Sequence, residues 1–269
     1  MHSSVEARLR GLSPPEASAP QNDHPYDSVP WLTYPYILSK LLEEVGEGRR
    51  ILAIGCRTAP WIEEVAKKSA VVVGVDPDPK MIEYANHRWY GLDNVLFEVG
   101  DMRSSLNIAN DLFDVVISMF SFGELGGTKK TFSEVYRILA NKGKFIVVED
   151  LAHKGVMKFH HPWMQKAGKV SSVSPNFLMS LFKSYRFGMV KSRNVEMHDL
   201  SMNKWMKALK YRVGDERMIQ VAEELRLCLN TPIGQTYSVR QVENDLIFNL
   251  RALMVVGSKI QLGGGFHAA

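Results

Sequence analysis

Two cysteines in 269 residues, Cys56 and Cys228, are too few for a disulfide framework or a thiolate metal cage. They fit a reducing compartment in which both are ordinary thiols. No apolar run reaches the roughly 18 residues that a membrane span needs, and the N-terminal stretch has no continuous apolar core of the kind a signal peptide carries. A soluble cytoplasmic protein is the expectation, with no membrane partner. Like charges do not cluster into runs of about five or more, and 33 Lys and Arg against 29 Asp and Glu leave a net charge of only +4. That excess is too small and too evenly spread to argue for nucleic acid. With 45% hydrophobic and 23% charged residues the chain is neither disordered nor collagen-like. A chain of this length buries roughly three quarters of its unfolded surface, so it needs no disulfide or structural metal.

What is present is an alternating pattern. Residues 1–24, with Ser3, Ser4, Ser13, Pro14, Pro15, Ser18 and Pro20, read as a flexible tail; residues 259–269, rich in glycine, read as a loose C-terminal tail. Between them, Ile37, Leu38, Leu41 and Leu42 share a helical face within Thr33–Val45. Ile51–Ile54 is a short apolar run ending at Gly55, a strand buried on both faces. Pro60 opens a helix through Ile62 and Val65, Val71–Val75 is a second strand, and Asp78 with Pro79 caps and starts a helix. Val95–Val99, Phe113–Met119 and Phe145–Val148 continue the strands, with a helix over Thr131–Leu139. Strands alternating with helices predict an α/β fold, a parallel sheet with helices on both faces. After Asp150 the rhythm changes. A helix from Pro175 to Phe182, a strand over Met189–Met197, helical stretches near Asn203–Lys210 and Asp215–Leu229, and a long strand Leu246–Val256 predict an antiparallel sheet edge with a helical lid grafted on it.

Ligands of open parallel sheets sit beyond the carboxyl ends of the strands, where strand order reverses. The turn after the first strand reads Ala53-Ile54-Gly55-Cys56-Arg57-Thr58-Ala59-Pro60. The second strand ends in Asp76, at about the spacing from the glycine turn at which a nucleoside-binding sheet places an acid for the ribose hydroxyls. The third ends in Gly100-Asp101-Met102, where an adenine amino group could be held. Helix capping and turn chemistry are the alternative for each acid taken alone.

These stretches resemble class I S-adenosylmethionine-dependent methyltransferases of the small-molecule type related to the ubiquinone and menaquinone C-methylases. The resemblance rests on ILAIGCRTAPWIEEVA, VVVGVDPDPKMIEYAN, NVLFEVGDM, FDVVISMFSFGEL and FSEVYRILANKGKFIVVED, in order across Arg50–Asp150. It implies a doubly wound, seven-stranded, mostly parallel sheet, a Rossmann-like methyltransferase fold over residues 25–258, with lid elements at about 154–168 and 201–230. It implies S-adenosyl-L-methionine as cofactor and a small-molecule substrate. Asp76 would hold the ribose, Pro77 or Met81 would line the adenine, Asp101 and Met102 would bind its edge, and Gly55, Cys56, Arg57 and Met119 would complete the cofactor site. Base-methylating relatives carry Asn/Asp-Pro-Pro-aromatic after the fourth strand; Ser118-Met119-Phe120-Ser121 has no proline there, which argues against a nucleic-acid substrate.

One departure bears on function. The acid–x–Gly–x–Gly–x–Gly turn of the family has Ala53, Arg57 and Ala59 where an acid and two glycines would stand. Arg57 either pairs with the methionine carboxylate, points outward, or fills the methionine pocket. Carboxylate pairing is the expectation. His153 and Asp150 lie where substrate bases occur, and a histidine can take a proton near neutral pH; His153 could equally be a surface loop residue. Glu124 and Phe120 follow the fourth strand and could face the substrate, as could Tyr26, Trp31 and Tyr34 ahead of and within the first helix. Capping or core packing are their alternatives. His160-His161-Pro162-Trp163 lacks ligand partners at zinc spacing. Methyl transfer to a small, hydrophobic molecule is the leading expectation. A methyltransferase-fold cyclase or hydrolase, or a pseudoenzyme that partners another protein, are the alternatives that Arg57 favours.

Overall fold

A computed structural model describes residues 30–122, 129–150, 175–208 and 216–260. Its elements, in chain order, are α1 (Pro30–Val45), β1 (Arg49–Ile54), α2 (Ile62–Ala66), β2 (Ser69–Asp76), α3 (Pro79–Trp89), β3 (Val95–Val99), β4 (Phe113–Met119), α4 (Lys129–Ile138) and β5 (Leu139–Asp150). They continue with α5 (Pro175–Ser184), β6 (Phe187–Ser201), α6 (Met202–Ala208), α7 (Glu216–Cys228), α8 (Pro232–Thr236), β7 (Arg240–Val242) and β8 (Asp245–Lys259). The sheet runs β3-β2-β1-β4-β5-β8-β6, with the three-residue β7 paired to β8 off this path. The first five strands are parallel, and β8 pairs antiparallel with both β5 and β6. This is a doubly wound α/β architecture with the antiparallel edge that the sequence predicts.

The strands read as unbroken apolar runs because both faces are covered. In β1, Ile51 and Ala53 face a core shared with Ile37 and Leu41 of α1 and Ile62 and Val65 of α2. Leu52 and Ile54 face the other core, with Phe132 and Val135 of α4 and Leu178 and Phe182 of α5. The same alternation carries through β5, Ile146 and Val148 on one side and Phe145 and Val147 on the other. The second core is strongly aromatic: Phe132, Phe145, Phe182 and Phe187 meet with ring centroids 5.2–6.0 Å apart. Gly257 of β8 makes room for it, since a Cβ there would lie 2.4 Å from the Phe182 ring.

Helix α1 is tied to the antiparallel edge by charge. Glu44 is buried and accepts from Lys191 at 2.8 Å and from Arg193, while Arg193 also reaches Glu43 at 2.9 Å. The Lys144 ammonium donates to the Glu44 carbonyl at 2.6 Å. Burial pushes the Glu44 carboxyl up, but the hydrogen bond from Lys191 and the charges of Lys191, Lys144 and Arg193 outweigh it and hold it below its ordinary value.

Three expectations change. β5 is longer than Phe145–Val148, because Lys144–Asp150 all find partners on β8 and Leu139 pairs with Phe113. The helix expected from Pro60 begins only at Ile62, because Ala59 and Ile62 close successive turns onto the carbonyls of Cys56 and Ala59. α8 and β7 were not anticipated. Of the lid, residues 154–168 lie outside the described residues; within 201–230, Leu225 of α7 is buried in the same core as Phe248 and Leu250 of β8. Among the described residues no helix is long and apolar enough to cross a membrane.

Candidate functional site

Strand order reverses between β1 and β4, so the crevice beyond their carboxyl ends is the topological switch point. The chain leaves β1 in a tight turn in which every second residue is left-handed: φ is 59° at Gly55, 48° at Arg57 and 47° at Ala59. These are the three positions of the glycine motif. The backbone keeps the conformation that glycine would adopt freely, although two side chains oppose it. Several bonds hold it there. Cys56 N–H donates to the Val75 carbonyl at 3.1 Å, Arg57 N–H to Asp76 Oδ2 at 2.9 Å, and the Trp89 indole N–H to the Thr58 carbonyl at 3.1 Å.

Asp76, at the end of β2, is 5% exposed. Each of its oxygens accepts one backbone N–H, Oδ2 from Arg57 and Oδ1 from Asp78 at 3.0 Å. A carboxylate has about four acceptor directions, so both oxygens keep capacity for one further donor, which suits a pair of ribose hydroxyls. Burial pushes the Asp76 carboxyl above its ordinary value; the N–H groups of Asp78 and Arg57 and the Arg57 charge pull it back in part.

Arg57 does not point outward. It is 4% exposed, and its guanidinium donates to the carbonyl of Phe120 at 3.0 Å and to that of Met119 at 3.2 Å, across the end of β4. Phe120 is itself left-handed, with φ 53°, and its N–H is fixed to the Val148 carbonyl at 2.8 Å. Beside it, Tyr34 of α1 is buried with its ring 6.3 Å from that of Phe120.

The remaining expected residues divide. Met81, Met102 and Met119 are buried, and Pro77 is exposed at the mouth of the β2 end. Cys56 is buried in the core, its sulfur where a Cβ on Gly74 would meet it at 3.0 Å. Asp101 is engaged elsewhere: its carboxylate forms a fork with Arg103, at 2.8 Å to Nη2 and 2.9 Å to Nε, and those bonds hold it below its ordinary value. Asp150 ends β5, paired with Ala252, and Trp31 lies in α1. Tyr26, Glu124 and His153 lie outside the described residues.

Two features went unread in the sequence. Ser118 and Ser121 are buried, 3.0 Å apart, and Ser121 donates to the Ile54 carbonyl at 3.1 Å, joining the ends of β4 and β1. Glu149 is buried and accepts the Phe122 N–H at 2.7 Å. The signal was polar residues inside the otherwise apolar ends of β4 and β5.

With this geometry in view, the chain compares with known proteins as follows. Residues 51–143 match the model of a methyltransferase domain family. Over those residues the chain matches a class I S-adenosylmethionine-dependent methyltransferase domain. Over 105 residues it is 24% identical to a demethylmenaquinone methyltransferase of Tropheryma whipplei, covering 39% of this chain and 43% of the relative. Over 109 residues it is 28% identical to the uncharacterized methyltransferase YcgJ of Bacillus subtilis, covering 40% and 38%. The matched segments thus span less than half of these relatives. The solved structure of YcgJ superposes with a TM-score of 0.65 at 21% identity, covering 85% of this chain and 99% of that one. The structure of the [4+2]-cyclase SpnF also shares the fold, with a TM-score of 0.54 at 19% identity over 84% of this chain and 80% of that one. The methyltransferase domain family uses S-adenosylmethionine, and the residues at the switch point fit its adenosine: a buried carboxylate at the end of β2, a left-handed turn and buried Met81 and Met102.

Proposed function

We propose that this chain transfers a methyl group from S-adenosylmethionine to a small, hydrophobic molecule. The observation that carries the reading is Asp76, buried at the switch point beside the left-handed turn, with each oxygen holding one N–H and free capacity for a ribose hydroxyl. When bound, the cofactor supplies a methyl group activated by its sulfonium. Asp76 would hold the ribose, and the backbone of Gly55–Ala59 would let the cofactor approach the sheet. Tyr34, Met119 and Phe120 would wall the crevice with apolar surface, keeping water away from the reacting atoms and orienting the acceptor. For an acceptor that must lose a proton, Asp150 and His153 are the proposed bases. An apolar acceptor accords with these walls and with the quinone named in the Tropheryma relative's activity.

The test is calorimetric titration of the full chain with S-adenosylmethionine, followed by transfer of labelled methyl to demethylated naphthoquinols. Absence of cofactor binding would refute the reading. Binding without transfer to any apolar acceptor would favour a second reading, a methyltransferase-fold enzyme that does chemistry other than methyl transfer. Arg57 is the observation that favours that reading.

A further inference from the structure

The left-handed turn after β1 is gripped from the far end of a helix. Trp89 is the last residue of α3, and its indole N–H donates to the Thr58 carbonyl at 3.1 Å. Thr58 is fully buried and stands between Arg57 and Ala59, whose φ values of 48° and 47° their side chains oppose. The ring is placed by more than that bond. It packs against the core that Ile82 and Ala85 of α3 share with Ile51 and Val72, and the Arg88 guanidinium lies over it, 4.8 Å from the centroid. An indole N–H only donates, so the single polar atom of this side chain is committed to the turn.

α3 also closes a circuit with the acid of the site. Asp76 Oδ1 accepts the Asp78 N–H, Asp78 caps α3 by accepting the Lys80 N–H, and α3 runs on to Trp89. From Trp89 the circuit passes to Thr58, and the neighbouring Arg57 N–H returns it to Asp76 Oδ2. Both oxygens of the carboxylate are thus referred to one helix. We propose that Trp89 is a positioning residue: through Thr58 it keeps the strained turn left-handed and in register with Asp76, the arrangement that receives the nucleoside end of the cofactor. This rests on the reading of the crevice as the cofactor site. Without the indole bond, Arg57 and Ala59 relax toward the right-handed region that their side chains prefer, and the Arg57 N–H moves away from Asp76.

Calorimetric titration of the full chain with S-adenosylmethionine tests this in wild type, Trp89→Phe, Ala59→Gly and the double variant. Phenylalanine keeps an apolar ring against the core and removes the N–H. Trp89→Phe should weaken binding about three- to tenfold. Glycine at position 59 adopts the left-handed backbone without strain, so the same change made in Ala59→Gly should cost about twofold or less. A residue that only stabilised the fold would lower the urea midpoint without this coupling. Unchanged affinity of folded Trp89→Phe, or an equal loss in both backgrounds, overturns the proposal and leaves the cofactor site standing. If Trp89→Phe does not fold, the assigned indole N–H resonance of wild-type Trp89 decides: a shift on saturation with S-adenosylmethionine supports the proposal, and a stationary signal overturns it. Failure of the wild type to bind S-adenosylmethionine overturns the reading of the site, and the proposal with it.

Discussion

Replacing Ala59 by glycine isolates the conformational strain of the turn. Ala59 is fully buried with φ 47°. A left-handed alanine costs about 1–2 kcal/mol that glycine does not incur. Against this, glycine loses one buried methyl, about 0.8 kcal/mol, and gives the unfolded chain more freedom, about 0.4–1 kcal/mol. The opposing effects nearly cancel, so Ala59→Gly should leave stability unchanged to within about 0.8 kcal/mol. Ala53, equally buried but in the regular backbone of β1, supplies the control. Ala53→Gly gains nothing from relief of strain and should cost about 1.2–1.8 kcal/mol. Urea unfolding monitored by circular dichroism measures both, provided the slopes against denaturant agree. If Ala59→Gly costs as much as Ala53→Gly, the turn does not hold alanine in the left-handed region and the account of this loop fails.

Asp76→Ala should weaken cofactor binding by about 1.5–3 kcal/mol through loss of charge-assisted bonds, read by calorimetry with a melting curve as control. Ribose hydroxyls donate to the ionised carboxylate, and burial raises the pKa of Asp76; affinity should therefore fall on acidification while the pH is still above the ordinary aspartate range, and Asp76→Asn should abolish that dependence. Glu44→Gln should cost about 1–3 kcal/mol by stranding the Lys191 and Arg193 bonds. Because the folded pKa of Glu44 is lowered, its contribution is present above the unfolded glutamate value and is lost as pH falls through the folded one; equal acid sensitivity of wild type and variant would refute this. Gly257→Ala should destabilise by about 1–3 kcal/mol, since its Cβ would lie 2.4 Å from the packed Phe182 ring, and chemical denaturation would register it.

The parallel half of the fold was legible because its strands are buried on both faces and its helices announce their starts. Val95–Val99 and Phe113–Met119 fall where the apolar runs place them, and Asp78 caps α3 by accepting the Lys80 N–H, with Pro79 in its first turn. The antiparallel half was harder to delimit. β6 has solvent on much of one side and two register shifts, so its apolar pattern is broken where its pairing is not. β7 is three exposed residues paired to β8, with Arg240 bridged to Asp199 of β6, and its sequence has no apolar pattern to read. At the site, strand-end spacing was enough to put Asp76 at the end of β2 beside the turn, a position set by topology. The engagement of Asp101 with Arg103 was not visible, because it depends on a side-chain rotamer two residues away. Nor was the direction of Arg57, which is decided by carbonyls more than sixty residues along the chain.

That direction explains how the turn survives without its glycines. The left-handed path is over-determined from outside the loop: Val75 receives Cys56, Asp76 receives Arg57, and Trp89 donates to Thr58. A side chain at position 57 or 59 cannot relax its φ without breaking these bonds, so the strain is held in place. At Ala59 nothing visible offsets it beyond one buried methyl. At Arg57 two charged hydrogen bonds to the β4 carbonyls offset it, each comparable with the roughly 1–2 kcal/mol of a left-handed residue. At position 59 alanine and glycine come out nearly even, so strain there needs no further partner. Arginine is stable at position 57 because its guanidinium reaches into the crevice. The same two bonds that offset the strain tie the β1 turn to the end of β4, so the turn and the crevice wall hold one another in place.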